Sequence, residues 1–452
     1  MRKNLNVIAA YSIMMVLILL VGIFQSWNIA LSIFNLCLIS AVMTMGANIQ
    51  WGYAGLINFG IMGYTALGGL AAVIISVDPV QEAWRAGGFD ILMCLWLIIV
   101  MVLVIRFILK NFEKSKLRTY SIAALIIAAI IIIRVTAEPG IEKIEAVNPA
   151  TTGFLGGFGL PIIFSWIVGA LFAGGLAFIV GKVALGLRAD YLAIATLLIS
   201  EIVIAIIKHE DWLTRGVKNV IGLKRPAPYE VDLQTTDWFI NLVEKFKSSK
   251  LDLITDLSER QAALNQFVIE GSSIFVKLCY SGLFLVVVIV LLILTQKALY
   301  SPWGRMMRAI RDNEVAAEAM GKDVKSRHLQ VFILGSAVCG IAGAMLVTLD
   351  GQLTPTNYHP LRFTFIIWVM VILGGAGNNL GSILGGFIIW FFWVEVEYIG
   401  LFLMDILTSG FADDNAFRIH MLNSAAYMRY LTLGLILVLV LRFNPRGLIP
   451  EK

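Results

Sequence analysis

The amino-acid sequence predicts an all-α polytopic membrane protein. Hydrophobic residues make up 59% of the chain and charged residues only 14%, whereas soluble domains have about 45–50% apolar and about 25% charged residues. Apolar runs recur along the whole chain, and many approach the roughly 20 residues that a membrane-spanning helix needs. These observations exclude a soluble globular domain. The net charge of +5 is small, and no interaction with nucleic acid is expected.

Twelve apolar runs are candidate spans, and ten to twelve of them are expected to cross the membrane. The first run follows two basic residues as in a signal peptide, but no small-residue cleavage site follows, so we expect it to be retained. Gly374-Gly375 and Asn378-Asn379 could convert the tenth and eleventh runs into a re-entrant pair. The twelve runs cover residues 7–26, 28–48, 53–77, 91–110, 119–136, 158–182, 189–208, 271–297, 328–349, 362–376, 381–404 and 427–443.

Basic residues predict how the spans are oriented. With twelve spans and a cytoplasmic N-terminus, the clusters of Lys and Arg between spans all lie on one side, while loops 78–90, 137–157 and 405–426 are mostly acidic. Positively charged loops remain in the cytoplasm, so both termini are expected to be cytoplasmic. The clusters contain Lys110, Lys114, Lys116 and Arg118; Lys182 and Arg188; Arg305, Arg308, Arg311, Lys322, Lys325 and Arg327; and Arg442, Arg446 and Lys452.

One transmembrane domain is expected over residues 1–452, interrupted by a polar insert. Residues 208–270 carry mixed charge and, in the predicted orientation, form an extracytoplasmic insert. Residues 258–267 have a helical pattern within it. No catalytic constellation is visible there, so a solvated insertion is the simplest interpretation.

Residues 301–321, SPWGRMMRAIRDNEVAAEAMG, predict a short helix on the membrane surface. Ser301 can cap its first turn, Pro302 suits the first helical position, and Gly321 can end it. Its many charges of both signs exclude a position in lipid. Such a helix is suited to docking on another protein, although an ordinary solvated connector has the same pattern.

Glycine and other small residues mark close helix packing. Ser165, Gly169, Ala173, Ala177 and Gly181 repeat every four residues, and such stripes allow helices to approach closely in lipid. Residues 51–72 are different, because six glycines lie among the polar Asn58, Tyr64 and Thr65. Irregular backbone at membrane depth is tolerated beside a cavity. We therefore interpret residues 51–72 as part of a translocation pathway, with close packing as the alternative.

Ionisable groups inside the spans are few. Glu201, Glu395 and Glu397 lie in apolar runs, and each is expected to face a cavity or a partner because a lone charge is unfavourable there. Gly181-Lys182 resembles part of a phosphate-binding loop, but Val183 stands where that loop needs Ser or Thr. No bound cofactor, metal site or catalytic residue is expected. The cysteines lack paired spacing and are expected to be free: Cys37, Cys94, Cys279 and Cys339.

Several segments resemble a known family. WGYAGLINFGIMGYTALGG, LRADYLAIATLLISEIV, the 301–321 segment, VMVILGGAGNNLGSILGGF and RFNPRGLIP occur in the order found in permease subunits of branched-chain amino acid ABC importers, the LivM type. The resemblance covers roughly residues 50–450. It implies the transmembrane domain of an importer in the cytoplasmic (inner) membrane. Its implied partners are an ATPase subunit that uses ATP-Mg, a second permease and an extracytoplasmic binding protein.

The same resemblance implies roles for particular residues. Residues 304–321 correspond to the coupling helix that contacts the ATPase: Gly304, Arg308, Arg311, Asp312, Glu314, Ala316, Ala317, Glu318 and Gly321. By polarity at depth and position in the motifs, the pathway residues are expected to be Asn58, Tyr64, Thr196 and Glu201.

Departures from the family pattern leave other functions open. Thr214-Arg215-Gly216 stands where the family usually has Thr-Gly-Gly, and the segments 78–150 and 208–270 are longer than usual. Urea or short amides are therefore alternative substrates. An ion-coupled secondary carrier would need more ionisable groups at mid-depth, and a membrane scaffold would explain only the small-residue stripes.

Overall fold

The structure is a computed structural model that describes residues 2–113, 115–149 and 151–451, with the side chains of residues 2–6 and Thr119 left out. Lys114 and Lys452, two of the basic residues used for orientation, lie outside the described residues. The described chain is almost entirely helical. In chain order its elements are α1 (Arg2–Phe24), α2 (Trp27–Ala54), α3 (Ile61–Ser76), α4 (Gln81–Ala83), α5 (Phe89–Asn111), α6 (Lys116–Val147), α7 (Phe164–Ala184), α8 (Ala189–His209), α9 (Asp211–Thr214), β1 (Val220–Ile221), α10 (Glu230–Gln234), α11 (Asp237–Leu251), α12 (Leu257–Tyr300), α13 (Pro302–Asp312), α14 (Glu314–Ala319), α15 (Val324–Asp350), β2 (Gln352–Leu353), α16 (Pro360–Gly374), α17 (Asn379–Thr408), α18 (Ala416–Ser424) and α19 (Met428–Phe443).

Every predicted span contains an observed helix. Ten helical segments of the described chain are long and apolar enough to cross a membrane, and α3 and α16 are shorter apolar helices. This confirms an all-α polytopic membrane protein with ten to twelve spans. The 15 residues of α16 extend only about 22 Å, less than the roughly 30 Å of a hydrocarbon core, whereas α17 is continuous over 30 residues.

The predicted span 53–77 is wrong at its beginning. Helix α2 continues to Ala54, and α3 starts only at Ile61. Gly55 ends α2 in the left-handed region at φ +70°, where glycine has no steric penalty. The Asn58 side chain then accepts a hydrogen bond from the Gly60 amide at 2.8 Å. These two residues turn an apolar run into a break between two helices.

The core is built where α3, α7 and α15 cross. A Cβ added to Gly169 of α7 would lie 3.0 Å from Gly68 Cα of α3 and 3.1 Å from the Gly340 carbonyl oxygen of α15. Ala173 and Ala177 of the same stripe are fully buried. The predicted stripe is therefore confirmed as a contact between helices of this chain. Helix α2 also packs on α15, and α16 and α17 pack on each other and on α2.

The pair α5–α6 lies at the periphery. These two helices pack mainly on each other and expose long apolar faces, with Phe89 75% and Leu117 79% exposed. A small separate cluster of Ala83, Ile91, Ile144 and Leu155 joins one end of the pair to neighbouring segments. The pair thus accounts for two of the apolar spans without belonging to the main core.

The insert 208–270 is folded onto the ends of the spans. Strand β1 pairs antiparallel with β2, with Val220 opposite Leu353, and Lys224 forms an ion pair with Asp78 at 2.6 Å. Its predicted helical stretch 258–267 is confirmed as the first part of α12, a continuous helix of 44 residues. Helix α12 ends at Tyr300, and one residue, Ser301, separates it from the start of α13.

Arg215 is strained in the insert, and its replacement by glycine is expected to stabilise the protein. Arg215 has φ +56°, a conformation that costs an ordinary residue roughly 1–2 kcal/mol. Its guanidinium is 5.9 Å from the Phe154 ring centroid. Glycine gives the unfolded chain more entropy, which offsets part of the relieved strain. The net expectation is that Arg215→Gly raises the free energy of unfolding by about 0.5–1 kcal/mol. Denaturant unfolding in detergent would measure this free energy.

Asn219 provides a comparison, because its φ of +59° is combined with a ψ of 147°, a region that is essentially confined to glycine and lies outside the left-handed helical region of Arg215. Asn219→Gly should therefore stabilise at least as much as Arg215→Gly. A lower unfolding free energy for Arg215→Gly would show that its side-chain contacts outweigh the strain.

Two of the three carboxylates that were expected to face a cavity or a partner have partners within the chain. Glu395 is 4% exposed and accepts a hydrogen bond from Gln25 Nε2 at 2.7 Å. Glu397 of α17 pairs with Arg429 of α19. Both carboxylates therefore have partners inside the chain. The four cysteines are free thiols, as predicted.

Candidate functional site

The segment 301–321 forms two short helices and not the single predicted helix. Helix α13 ends at Asp312, and α14 begins at Glu314. Asn313 between them is extended, and its Oδ1 accepts a hydrogen bond from the Ala316 amide at 3.0 Å. Asparagine is a strong N-cap, so it starts a new helix. We call α13 and α14 the cytoplasmic helix pair.

The predicted ends of the segment are partly confirmed. Pro302 occupies the first turn of α13. Gly321 has φ +76°, and the Lys322 amide bonds back to the Ala317 carbonyl at 3.2 Å. Ser301, however, does not cap α13 with its side chain, because its hydroxyl donates to the Ala298 carbonyl of α12 at 2.6 Å. This hydroxyl ties the pair to the end of α12.

The cytoplasmic helix pair has an inner and an outer face. Gly304, Met307, Ile310 and Ala317 are buried within this chain. Nine predicted coupling residues therefore divide between the faces. Those on the outer face are Asp312, Glu314, Ala316, Glu318 and Gly321. Val315 and Met320, which the sequence analysis did not select, are 77% and 79% exposed.

Arg311 projects inward and links the helix pair to α2. Its Nη1 donates to the Gly52 carbonyl oxygen at 2.5 Å and to Glu451 Oε2 at 2.8 Å. Arg308 is half-buried and donates weakly to the Leu299 carbonyl at 3.5 Å. Charge-assisted bonds of this kind are about twice as strong as neutral ones. Arg311 therefore fixes the helix pair to the end of α2.

Residues 444–451, which we call the C-terminal strap, connect Arg311 to a second helix break. The Leu448 amide donates to the Leu373 carbonyl at 2.8 Å, and the Ile449 amide donates to the Gly374 carbonyl at 2.9 Å. These carbonyls end α16, just before Gly375 with φ +113°. Through Glu451, the strap joins the cytoplasmic helix pair to the α16–α17 break. A cavity of about 530 Å³ lies beside this junction.

A buried amide of α2 holds the α16–α17 break from the other side. Asn48 Oδ1 accepts from the Gly377 amide at 2.9 Å, and its Nδ2 donates to Asn379 Oδ1 at 3.1 Å. Asn379 Nδ2 in turn donates to Thr295 Oγ1 of α12 at 3.0 Å. Unsatisfied polar groups are costly in lipid, so this network fixes the relative positions of three helices.

Gln50 and Asn58 make a similar connection at the α2–α3 break. Gln50 Nε2 donates to Ser336 Oγ of α15 at 3.0 Å, and Asn58 Nδ2 donates to Gln50 Oε1 at 2.8 Å. Trp368 Nε1 of α16 donates to the Asn58 carbonyl at 3.2 Å. Side chains of α2 thus contact both breaks, and Trp368 connects the α2–α3 break to α16. Sequence reasoning missed Asn48 and Gln50, whose only signal was polarity inside an apolar run.

The structure brings two of the four predicted pathway residues to one place. Thr196 Oγ1 accepts from the Phe59 amide at 3.0 Å, next to Asn58, and both side chains are buried. Tyr64 is 2% exposed and packs edge-to-face on Phe332 with centroids 6.0 Å apart. Tyr64 is therefore a core residue in this arrangement, while Asn58 and Thr196 hold the α2–α3 break against α8.

Glu201 is separate from these residues. Its side chain is exposed, and among the described residues it has no hydrogen bond or ion pair. It lines an open groove of about 640 Å³ with Lys208, His359 and Arg362. Burial, together with Arg362 and Lys208, lowers the pKa of His359, and Glu201 opposes this shift. The groove is open to the outside, and its charged side chains lie among a larger apolar lining.

These features define a polytopic membrane protein in which a surface helix pair is joined by polar contacts to two buried helix breaks. The chain belongs to the family of branched-chain amino acid transport system permease components, whose model matches residues 146–441. No solved structure was found to match the chain.

Named relatives are similar over parts of the chain. The probable branched-chain amino acid transport permease protein LivM of Methanocaldococcus jannaschii is 30% identical over 35% of this chain and 42% of its own. The high-affinity branched-chain amino acid transport system permease protein LivM of Escherichia coli is 26% identical over 49% of this chain and 48% of its own length. The fructose import permease protein FrcC of Rhizobium meliloti is 26% identical over 22% of this chain and 28% of its own length. The chain spans about half the length of the branched-chain relatives it matches.

Proposed function

We propose that this chain is the membrane-spanning permease subunit of an ATP-binding-cassette importer that carries branched-chain amino acids across the cytoplasmic membrane. The observation that carries the proposal is Arg311, which joins an exposed helix pair to the α2–α3 break and, through Glu451, to the α16–α17 break. A force applied to the outer face of the pair reaches both breaks through these bonds. Family membership supports the direction of transport and the substrate class.

The ATPase subunit docks on the outer face of the cytoplasmic helix pair. Asp312, Glu314 and Glu318 give this face a negative charge, and Val315 and Met320 add exposed apolar side chains. The complementary surface is an apolar groove bordered by basic residues. ATP-Mg is bound and hydrolysed in that subunit, so this chain contributes no catalytic residue.

A second permease and an extracytoplasmic binding protein complete the importer. Methanocaldococcus jannaschii has both the LivM relative and a probable branched-chain amino acid transport permease protein LivH, which is 34% identical to this chain over 104 residues. Two related permeases in one organism support pairing of this chain with a homologue. The binding protein delivers substrate on the side of the insert 208–270.

Glu314→Lys tests the docking face. Glu314 is exposed in the first turn of α14, and a lysine there places a positive charge against the basic border of the ATPase groove. Like-charge contacts at an interface cost several kcal/mol. In vesicles containing the assembled importer, we expect uptake to fall at least about tenfold, while ATP hydrolysis continues and the chain still inserts.

Glu113→Lys is the control, because Glu113 is exposed on the cytoplasmic side outside the helix pair. It should leave uptake within about twofold of the original. Unchanged uptake in Glu314→Lys would show that the ATPase does not dock on this face.

Stimulation of ATPase activity in the reconstituted importer defines the substrate. Leucine, isoleucine and valine should stimulate hydrolysis in the presence of the binding protein, whereas polar amino acids, urea and short amides should not. Stimulation by urea or amides alone would support the importer function but show that the substrate is not a branched-chain amino acid. Failure of any ATPase to assemble would reject the importer.

A further inference from the structure

A second cavity lies within the helix bundle, bounded by α2, α3, α15, α16 and α17. Its volume is about 290 Å³. The connection between α15 and α16 also contributes to its wall, which places it near the insert and away from the cytoplasmic helix pair. Most of the wall is apolar, with contributions from Ile39, Met43, Met62, Ile366 and Met370.

Two opposite charges border this apolar wall. Asp350 is the last residue of α15, and Arg362 lies in the first turn of α16. They form no ion pair with each other, and among the described residues Asp350 has no hydrogen bond or ion pair. Arg362 uses one nitrogen to donate to Tyr430 Oη at 3.2 Å, which leaves further N–H groups available.

We propose that this cavity binds a zwitterionic α-amino acid with a branched apolar side chain. Asp350 takes the ammonium group, Arg362 takes the carboxylate, and the apolar wall takes the side chain. This inference rests on the proposed function and places a substrate site inside this subunit.

The charges favour a zwitterion over other small molecules. An amine would pair with Asp350 and leave Arg362 without an anionic partner. A fatty acid would pair with Arg362 and leave Asp350 without a cationic partner. A zwitterion pairs both of these groups, which line the same cavity. Trp390 also lines the cavity, and its indole N–H is buried without a partner among the described residues. It is a further donor for a carboxylate.

The size of the cavity limits the ligand to a small one. Sites for drug-sized ligands occupy roughly 300–1,000 Å³, and this cavity of about 290 Å³ lies just below that range. Leucine, isoleucine or valine fits, whereas a peptide does not.

The position of the two charges also provides a means of release. Asp350 ends α15, which begins directly after the cytoplasmic helix pair, and Arg362 belongs to α16, which ends at the C-terminal strap. A shift of α15 relative to α16 changes the distance between the carboxylate and the guanidinium. Movement of the helix pair would therefore weaken the hold on both ends of the ligand at once.

Equilibrium binding of radiolabelled leucine to the purified full-length chain in detergent, without ATPase or binding protein, tests the proposal. Saturable binding is expected. Isoamylamine lacks the carboxylate and 4-methylpentanoate lacks the ammonium, so each should compete at least about tenfold more weakly than leucine. Asp350→Asn should weaken leucine binding at least about tenfold, and Leu36→Trp should block it by filling the cavity.

Asp414→Asn is the matched control, because Asp414 is exposed and lies in the loop between α17 and α18; its leucine binding should be unchanged. Size-exclusion elution and thermal unfolding verify that each variant is folded. Since Leu36→Trp keeps both charges, it tests the cavity even if Asp350→Asn does not fold.

Three results would overturn the site. The first is that the original chain does not bind leucine, and the second is that both variants bind leucine normally. The third is that phosphoethanolamine competes as strongly as leucine, which would indicate a site for a lipid headgroup. Leucine-stimulated hydrolysis in the complete importer without binding to the isolated chain would reject this site and retain the proposed function. Leucine binding to the isolated chain without leucine transport by any complex would retain this site and reject the proposed function.

Discussion

Arg311→Gln is expected to abolish most substrate uptake while the ATPase subunit still binds. The variant loses the charge-assisted bonds from Arg311 to the Gly52 carbonyl and to Glu451, each worth about 1.5–3 kcal/mol. It also leaves a partly buried carboxylate without its cation. With the helix pair detached from both breaks, uptake by the reconstituted importer should fall by about 100-fold, and hydrolysis should no longer depend on substrate.

Arg305→Gln is the matched control for this loss. Arg305 lies on the same helix, is exposed, and within the described part of the chain donates only to the Tyr300 carbonyl at 3.3 Å. It should retain more than about half of the uptake. If Arg311→Gln transports as well as Arg305→Gln, the bonds to Gly52 and Glu451 do not carry the coupling.

Gly68→Val is expected to prevent stable folding. A Cβ on Gly68 would overlap the carbonyl oxygen of Gly340 and lie 2.8 Å from its carbonyl carbon. Both obstructing atoms belong to the backbone of α15, so a rotamer change cannot relieve the overlap. Separating α3 from α15 would disturb the crossing of three core helices and cost about 3 kcal/mol or more. The yield of folded protein and the thermal unfolding midpoint in detergent measure this effect.

Gly175→Val separates this steric effect from the general effect of valine for glycine in a helix. Gly175 lies within α7, and no atom lies within 4 Å of an added Cβ. This variant should fold with an unchanged or higher unfolding midpoint. Equal behaviour of the two variants would mean that the three-helix crossing is looser than its glycines indicate.

The fold could be predicted largely from composition and apolar runs, because the hydrocarbon environment leaves a helix few alternatives. Helix contacts were also predictable where small residues repeat, as at Gly169 and Ala173. Irregular backbone was expected within residues 51–72, but the position of the break before α3 was not predictable, since Gly55 lies inside an apolar run and glycine is compatible with both a helix and a left-handed turn. Only tertiary contacts, such as that of Thr196 with the Phe59 amide, decide between them.

The candidate site could be predicted less completely. The 301–321 segment was recognisable from its charges, but the direction in which each charge points depends on the fold. Arg311 and Ala317 turned inward, and Val315 turned outward. Glu451 has no sequence signal, because its partner lies 140 positions earlier in the chain. Glu201 has the polarity of a pathway residue but faces an open groove.

Helix α12 has a mechanical consequence. Its 44 residues form a rod of about 66 Å at 1.5 Å per residue, roughly twice the thickness of a hydrocarbon core. One end adjoins the cytoplasmic helix pair and the other belongs to the insert. A tilt of about 5° around its midpoint would displace each end by about 3 Å. In the proposed importer, a lever of this length would transmit nucleotide turnover in the ATPase subunit on one side of the membrane to the binding protein on the other side.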